Sequence, residues 1–276
     1  MSRSLILWAA AVAVTLAVAA YQRMTGPTYP ISGVRFVEGE KVAYRFDRAH
    51  PGPTDHEVRI PMSSRITEAW LEWRRFKTAD EWVRVPMAAK DSFLTASLPH
   101  QPPAGKLQYR VQARGAGQLF TLPEGDPVVI RFRGDVPWYV MIPHVLMMFL
   151  SMLLSTRAGL ELFSPEPKMR PLVLWTLVTL FVGGLILGPI VQKFAFDAYW
   201  TGWPLGKDLT DNKTAAAFLI WVVAAAGILG RRKKTSWALV AAVAMLVVYL
   251  IPHSLLGSEL DYGTGASPPP AEAPVR

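Results

Sequence analysis

Residues Leu172–Val191 read LVLWTLVTLFVGGLILGPIV, a stretch without one charged side chain. A helix needs roughly 20 mostly apolar residues to cross a hydrocarbon core of about 30 Å. Lipid cannot hydrogen-bond a peptide group, so helix is the state such a stretch adopts in a bilayer. Four more runs share this character: Leu5 to Ala20, Pro137 to Leu154, Ala215 to Leu229 and Trp237 to Ile251. With their Trp, Tyr and small polar flanks, each reaches the crossing length, and five transmembrane helices are expected. The first run also reads as a signal peptide, because Arg3 precedes it and Ala17-Val18-Ala19-Ala20 closes it with small residues. Cleavage there would leave four helices. Either reading exports the residues that follow.

Between the first and second runs the period changes to two. Leu107, Tyr109, Val111 and Ala113 alternate with Gln108, Arg110, Gln112 and Arg114. Val42, Tyr44 and Phe46 alternate likewise, as do Leu94, Ala96 and Leu98, and Val128, Ile130 and Phe132. Val58 to Ile60, Ala69 to Arg75 and Trp82 to Val85 add three short candidates. Turn clusters separate them, among them His50-Pro51-Gly52-Pro53 and Gly115-Ala116-Gly117. About seven such strands predict an antiparallel sandwich. The pattern resembles fibronectin type III and immunoglobulin-like modules, without the immunoglobulin cysteine pair. The expected architecture is a membrane α-helical bundle plus an exported antiparallel β-sandwich. Its parts are an anchor or signal over 1–24, the β-sandwich over 27–134, a four-helix transmembrane domain over 137–262, and a disordered tail over 263–276, rich in Pro, Ala and Gly.

The net charge of +8 is first a matter of orientation. Arg3, Arg157, Lys168, Arg170 and Arg231-Arg232-Lys233-Lys234 fall on one side if the helices alternate. The other side offers Lys193, Lys207, Lys213 and Arg276, mixed with Asp197, Asp208, Asp211, Glu259 and Asp261. Short loops rich in Lys and Arg stay cytoplasmic. The expectation is a bacterial inner membrane, with the N-terminus cytoplasmic and the β-domain and C-terminal tail periplasmic. The membrane is then the first partner, and no nucleic acid is implied. The absence of cysteine excludes disulfides, thiolate metal sites and Cys nucleophiles.

Candidate chemistry collects on the periplasmic side. The second helix carries Ile142-Pro143-His144 and the fifth ends in Ile251-Pro252-His253. His144 lies about 10 Å inside the outer boundary and His253 nearer the surface, at about 1.5 Å per residue. Ionisable groups at such depth usually face a cavity or the bundle interior. They could share a metal ion, a haem or a polar ligand, or each could bond a neighbouring carbonyl. The connection Gln192 to Lys213 is dense in aromatics, with Tyr199, Trp200 and Trp203, and carries Asp208, Asp211 and Lys213. Trp and Tyr also form interfacial belts. Thr210-Asp211-Asn212 also reads as the N-cap of the next helix. Glu259 and Asp261 follow His253. The candidate site is therefore His144, His253, Tyr199, Asp208, Asp211, Lys213, Glu259 and Asp261.

The segments YWTGWP…DLTDNK and IPH…GSELDY resemble those of a group of bacterial inner-membrane proteins of similar length. The resemblance implies a shared role and names no mechanism. Three functions follow: a ligand-, metal- or haem-binding protein accessory to a redox or assembly system; a scaffold whose sandwich binds a protein partner; or small-solute transport. Whether a reaction is catalysed stays open. Met141, Met147, Met148 and Met152 read as packing before copper(I) ligation. Arg157 and Glu161, spaced i, i+4, are expected to pair. Gly183, Gly184 and Gly188 suggest close helix packing. His50, His56 and His100 read as solvated turn residues. No Walker loop, nucleophile elbow or HExxH is present.

Overall fold

The computed structural model describes residues 2–115, 117–230, 234–252, 257 and 259–264. The chain divides into two compact units, residues 1–27 with 136–258, and residues 28–135 with 259–276.

The first unit is helical: α1 (Arg3–Thr25), α2 (Trp138–Leu160), α3 (Met169–Leu180), α4 (Gly188–Phe196), α5 (Leu209–Leu229) and α6 (Ser236–Leu250). A π turn, Phe181–Leu187, joins α3 to α4, so Met169–Phe196 is one continuous helical stretch. Among the described residues four stretches are long and apolar enough to cross a membrane: Arg3–Thr25, Trp138–Phe163, Met169–Phe196 and Leu209–Leu229. The fifth expected crossing is shorter, with 15 residues in α6. Pro252 has no N–H to donate, which ends the ladder at Ile251 instead of kinking a longer helix.

Small residues let these helices approach closely. A Cβ on Gly159 would stand 2.7 Å from Ala242 Cβ, which sets the α2–α6 contact. One on Gly183 would stand 2.8 Å from Met147 Cβ, and one on Gly184 2.6 Å from Thr214 Cγ2. The glycine pair thus brings the π turn against both α2 and α5, as its position in the sequence suggests. Met152, Val173, Leu180 and Trp221 fill the centre. Met152 is packing material, as expected.

Arg157 and Glu161 form a buried ion pair one helical turn apart. Glu161 Oε1 also accepts the Lys168 amide at 2.7 Å, and the guanidinium lies 5.4 Å from the Trp8 ring centroid. The pair therefore ties α2 to α1 and to the turn that starts α3.

The second unit is built from strands β1 (Ile31–Val37), β2 (Glu40–Phe46), β3 (Ala49–Pro51), β4 (His56–Pro61), β5 (Ile66–Arg75), β6 (Val83–Pro86), β7 (Ala88–Lys90), β8 (Phe93–Leu98), β9 (Lys106–Gly115), β10 (Gln118–Leu122) and β11 (Val128–Arg133). All seven expected strands form. The sheets are β1-β2, β3-β11-β9-β5-β6 with β10 also on β9, and β4-β8-β7. Every pairing is antiparallel except β11 with β3. All three sheets bury side chains in one core, including Phe46, Ile60, Leu71, Leu98, Tyr109 and Phe132. On β9, Leu107, Tyr109, Val111 and Ala113 are all fully buried, as the alternation requires. Buried Tyr109 donates its hydroxyl to Asp47 O at 2.8 Å, which satisfies the one polar atom of that ring.

His56 is buried instead of solvated, with its Nδ1 3.2 Å from His50 Nδ1. Burial, with the neighbouring His50 ring adding to it, holds His56 below the ordinary histidine range. The domain boundary expected at residue 262 falls before Glu259, because Glu259 to Tyr262 dock on the β unit. Of the tail, Gly263 and Thr264 complete a short turn with Tyr262, and 265–276 lie outside the described residues.

Breaking a buried ion pair from one side strands a charge. Glu161→Gln should therefore lower the stability of the purified chain by about 3 kcal/mol, read by denaturant unfolding with circular dichroism. Combined Arg157→Met and Glu161→Leu should cost less than the single change. A double variant weaker than the single would refute this account of the pair.

Candidate functional site

The helical unit contains a cavity of about 550 Å³ whose walls come from one end of each helix. The last turns of α1 supply Ala19, Gln22 and Arg23, and the first half of α2 supplies Met141, His144, Val145, Met148 and Phe149. The π turn and α4 add Gly184, Val191 and Gln192, α5 adds Asp208 to Ala217 from its N-terminal end, and α6 adds Val248 and Tyr249.

Each polar wall residue has a structural partner. His144 Nδ1 lies 2.9 Å from Gly183 O, inside the π turn. A carbonyl only accepts, so Nδ1 carries the hydrogen. Gly183 O also takes the Gly188 amide across five residues, the widened bond of a π turn. Lys213 Nζ donates to Ile251 O at 2.7 Å. Gln22 Nε2 donates to Ile251 O at 3.0 Å and to Tyr249 O. These are the carbonyls that the end of α6 leaves without helical partners. Tyr249 donates its hydroxyl to Met148 O at 2.8 Å.

The two aspartates hold the preceding loop. Asp208, not Thr210 to Asn212, is the N-cap of α5, and its Oδ1 accepts the Thr210 amide at 2.7 Å. Asp211 Oδ2 accepts the amides of Thr201 at 2.7 Å and Gly202 at 2.9 Å, and Gln192 Nε2 at 3.2 Å. Asn212 Oδ1 accepts the Trp203 amide at 2.6 Å. A Cβ on Gly202 would stand 2.6 Å from Asp211 Cβ, so only glycine fits under this clamp. The loop's apolar tip faces outward, with Trp203 and Leu205 each 78% exposed.

Four of the eight sequence candidates therefore gather at one cavity: His144, Asp208, Asp211 and Lys213. Tyr199 is exposed on the loop, with Lys193 Nζ 5.6 Å from its ring centroid. Trp200 donates its indole N–H to Trp203 O at 3.1 Å. His253 lies outside the described residues. Glu259 and Asp261 belong to the β unit, where Glu259 bonds Lys77 Nζ at 2.7 Å and also Lys106 Nζ. Beside them the Leu260 amide donates to Ala104 O at 3.1 Å, and Tyr262 OH to Lys106 O at 3.1 Å. Among the described residues no three His, Asp or Glu side chains gather as a metal site. Sequence reasoning missed Gln22, Gln192 and Tyr249 as wall residues. Only their polarity could have marked them, Tyr249 inside an apolar run and the two glutamines just past the ends of two others.

No protein-family model matches the sequence, and no curated protein matches it. A solved structure described as "Crystal structure of Br derivative BhCBM56" is similar at 9% identity over 39% of this chain and 95% of that chain, with a TM-score of 0.25. A likeness that slight carries no argument about function.

Burial alone would raise the Glu259 carboxyl, but the ammonium groups of Lys106 and Lys77 outweigh it and hold it below the ordinary carboxylate range. A depressed acid stabilises the folded state above its unfolded pKa, and loses that contribution as pH falls through the folded value. Amide exchange at Leu260, normalised to the intrinsic rate, should be protected at neutral pH and lose protection below about pH 4.3. In Glu259→Gln the protection should be weaker at neutral pH and nearly flat with pH. An unchanged profile in that variant would place the control elsewhere.

Proposed function

We propose that the chain is an inner-membrane protein whose helical unit holds a small organic ligand in a cavity at its periplasmic end. The β unit is read as an immunoglobulin-like or fibronectin-like sandwich displayed in the periplasm. One observation carries this reading: helix ends distant in sequence converge on a cavity with apolar walls and a few polar groups. Ligand sites in proteins are mostly apolar, have volumes of roughly 300 to 1,000 Å³ and carry a small number of placed polar side chains. The charge bias of the short loops supports the orientation, since the Arg- and Lys-rich connections lie at the opposite helix ends. A role as an accessory to a redox or assembly system is consistent with such a site.

An organic ligand suits these donors better than haem or a metal ion. Asp211 Oδ2 is committed to backbone amides, Asp208 to its cap, and His144 Nδ1 to Gly183. Among the described residues no three His, Asp or Glu side chains gather there, where a metal site needs several ligands. The reading also keeps the first helix as an anchor. Cleaving it after Ala20 would remove Ala19 from the wall and strip Gln22 and Arg23 of the helix that holds them there.

Solvent extraction and mass spectrometry of the purified chain test the reading. A small molecule should copurify in stoichiometric amount with a chain of intact N-terminus, and the plugging substitution Ala19→Phe should remove it. Stoichiometric metal in place of an organic compound, or equal recovery from the variant, would overturn the reading.

A second reading rests on the β unit. Val34 and Phe36 are 47% and 66% exposed, two residues apart on β1, which among the described residues pairs only with β2 and so offers an apolar strip beside a free edge. Such a strip suits a protein partner. Phe36→Asp should then reduce recovery of a crosslinked partner from membranes without altering the melting temperature. Recovery unchanged by Phe36→Asp would count against the strip.

A further inference from the structure

The cavity's unused bonding capacity identifies the kind of molecule it suits. His144 spends Nδ1–H on Gly183 O, so in the uncharged ring Nε2 is a lone pair that can only accept. Among the described residues that ring makes no second hydrogen bond. Lys213 has three N–H donors and places one on Ile251 O. The site thus offers an unused acceptor on α2 and spare donors on α5, and the close approach of Gly184 to Thr214 brings the π turn against α5 between them in the lining.

Charge narrows the choice. The walls carry Arg23 and Lys213 against Asp208 and Asp211, two positive groups and two negative ones. A charged ligand would upset that balance beside a largely apolar lining, where an unpaired charge is costly. Much of the remaining lining is apolar, with Val145, Met148, Phe149, Leu180 and Val191 among its residues. Resting on the reading of the cavity as a ligand site, we propose that its occupant is an uncharged amphiphile. Its head carries a hydroxyl that donates to His144 Nε2 and an oxygen that accepts from the Lys213 ammonium. Its apolar body lies along α2 and the π turn.

The test uses the full chain in phosphatidylcholine nanodiscs and three probes of equal tail: 1-monodecanoylglycerol, methyl decanoate and decanoate. Binding in excess of empty nanodiscs is measured by equilibrium dialysis. The glycerol ester should bind saturably and about tenfold tighter than the other two. His144→Phe keeps a ring and removes the acceptor. It should bring the glycerol ester to within about twofold of methyl decanoate and leave methyl decanoate unchanged. If that variant does not fold, nitrogen-15 histidine spectra of the natural chain carry the test, with the His144 Nε2 resonance moving for the glycerol ester and not for methyl decanoate. Equal binding of the two esters, or tightest binding of decanoate, would overturn the head-group assignment and leave the ligand site standing. No saturable binding of any probe would overturn both. Ala19→Phe should abolish saturable binding, and glycerol-ester binding that survives it would put the site outside this cavity.

Discussion

Backbone carbonyls that their own helices cannot fully satisfy organise the helical unit. In hydrocarbon a bare carbonyl has no water to turn to, so a side chain must reach it. The π turn leaves Gly183 O open to a second donor, and His144 supplies it. The end of α6 leaves Tyr249 O and Ile251 O, which Gln22 and Lys213 claim. The polar side chains around the cavity are therefore first structural and only then available to a ligand. Their remaining valences are what a ligand could use. Mutating any of them touches packing and recognition together, which is why the informative substitutions are those that keep shape and change one bond.

The same economy explains the loop before α5. Asp211 gathers two amides and a glutamine amide onto one oxygen, while Asp208 starts the helix. Carboxylates at this depth invite a metal interpretation, yet here they fold the chain. Gly202 and Gly206 are required because the backbone passes so close: a Cβ on Gly206 would stand 2.3 Å from Thr201 O. The exposed Trp203 and Leu205 are then held rigidly outward, as an interfacial anchor would need.

What could be read from the sequence was whatever depends on local periodicity. Leu172–Val191 had to be helical, and the alternation of Leu107, Tyr109, Val111 and Ala113 had to be a half-buried strand. The Arg157–Glu161 pair and the glycine contacts of Gly183 and Gly184 follow from helical spacing. What could not be read depends on partners far away. The π turn lies where α2 and α5 come close to the glycines, a contact that local spacing does not reveal. The three-residue strand β3 exists because β11 offers it a parallel edge. His56 is buried by its neighbours, not by its own turn. Glu259 looked like a companion of His144 because only His253 and a short segment separated it from the last helix. Lys77 and Lys106 instead draw it to the β unit. Asp208 outcompeted Thr210 to Asn212 as the cap, a one-turn difference that spacing does not resolve.

Gln22 is synthesised long before the carbonyls it bonds, which follow 227 and 229 positions later in the chain. The opening wall of the chamber therefore waits through the synthesis of the whole β unit before its counterpart exists. A chain stalled anywhere short of Ile251 would hold a first helix with an idle amide and a chamber without its closing face.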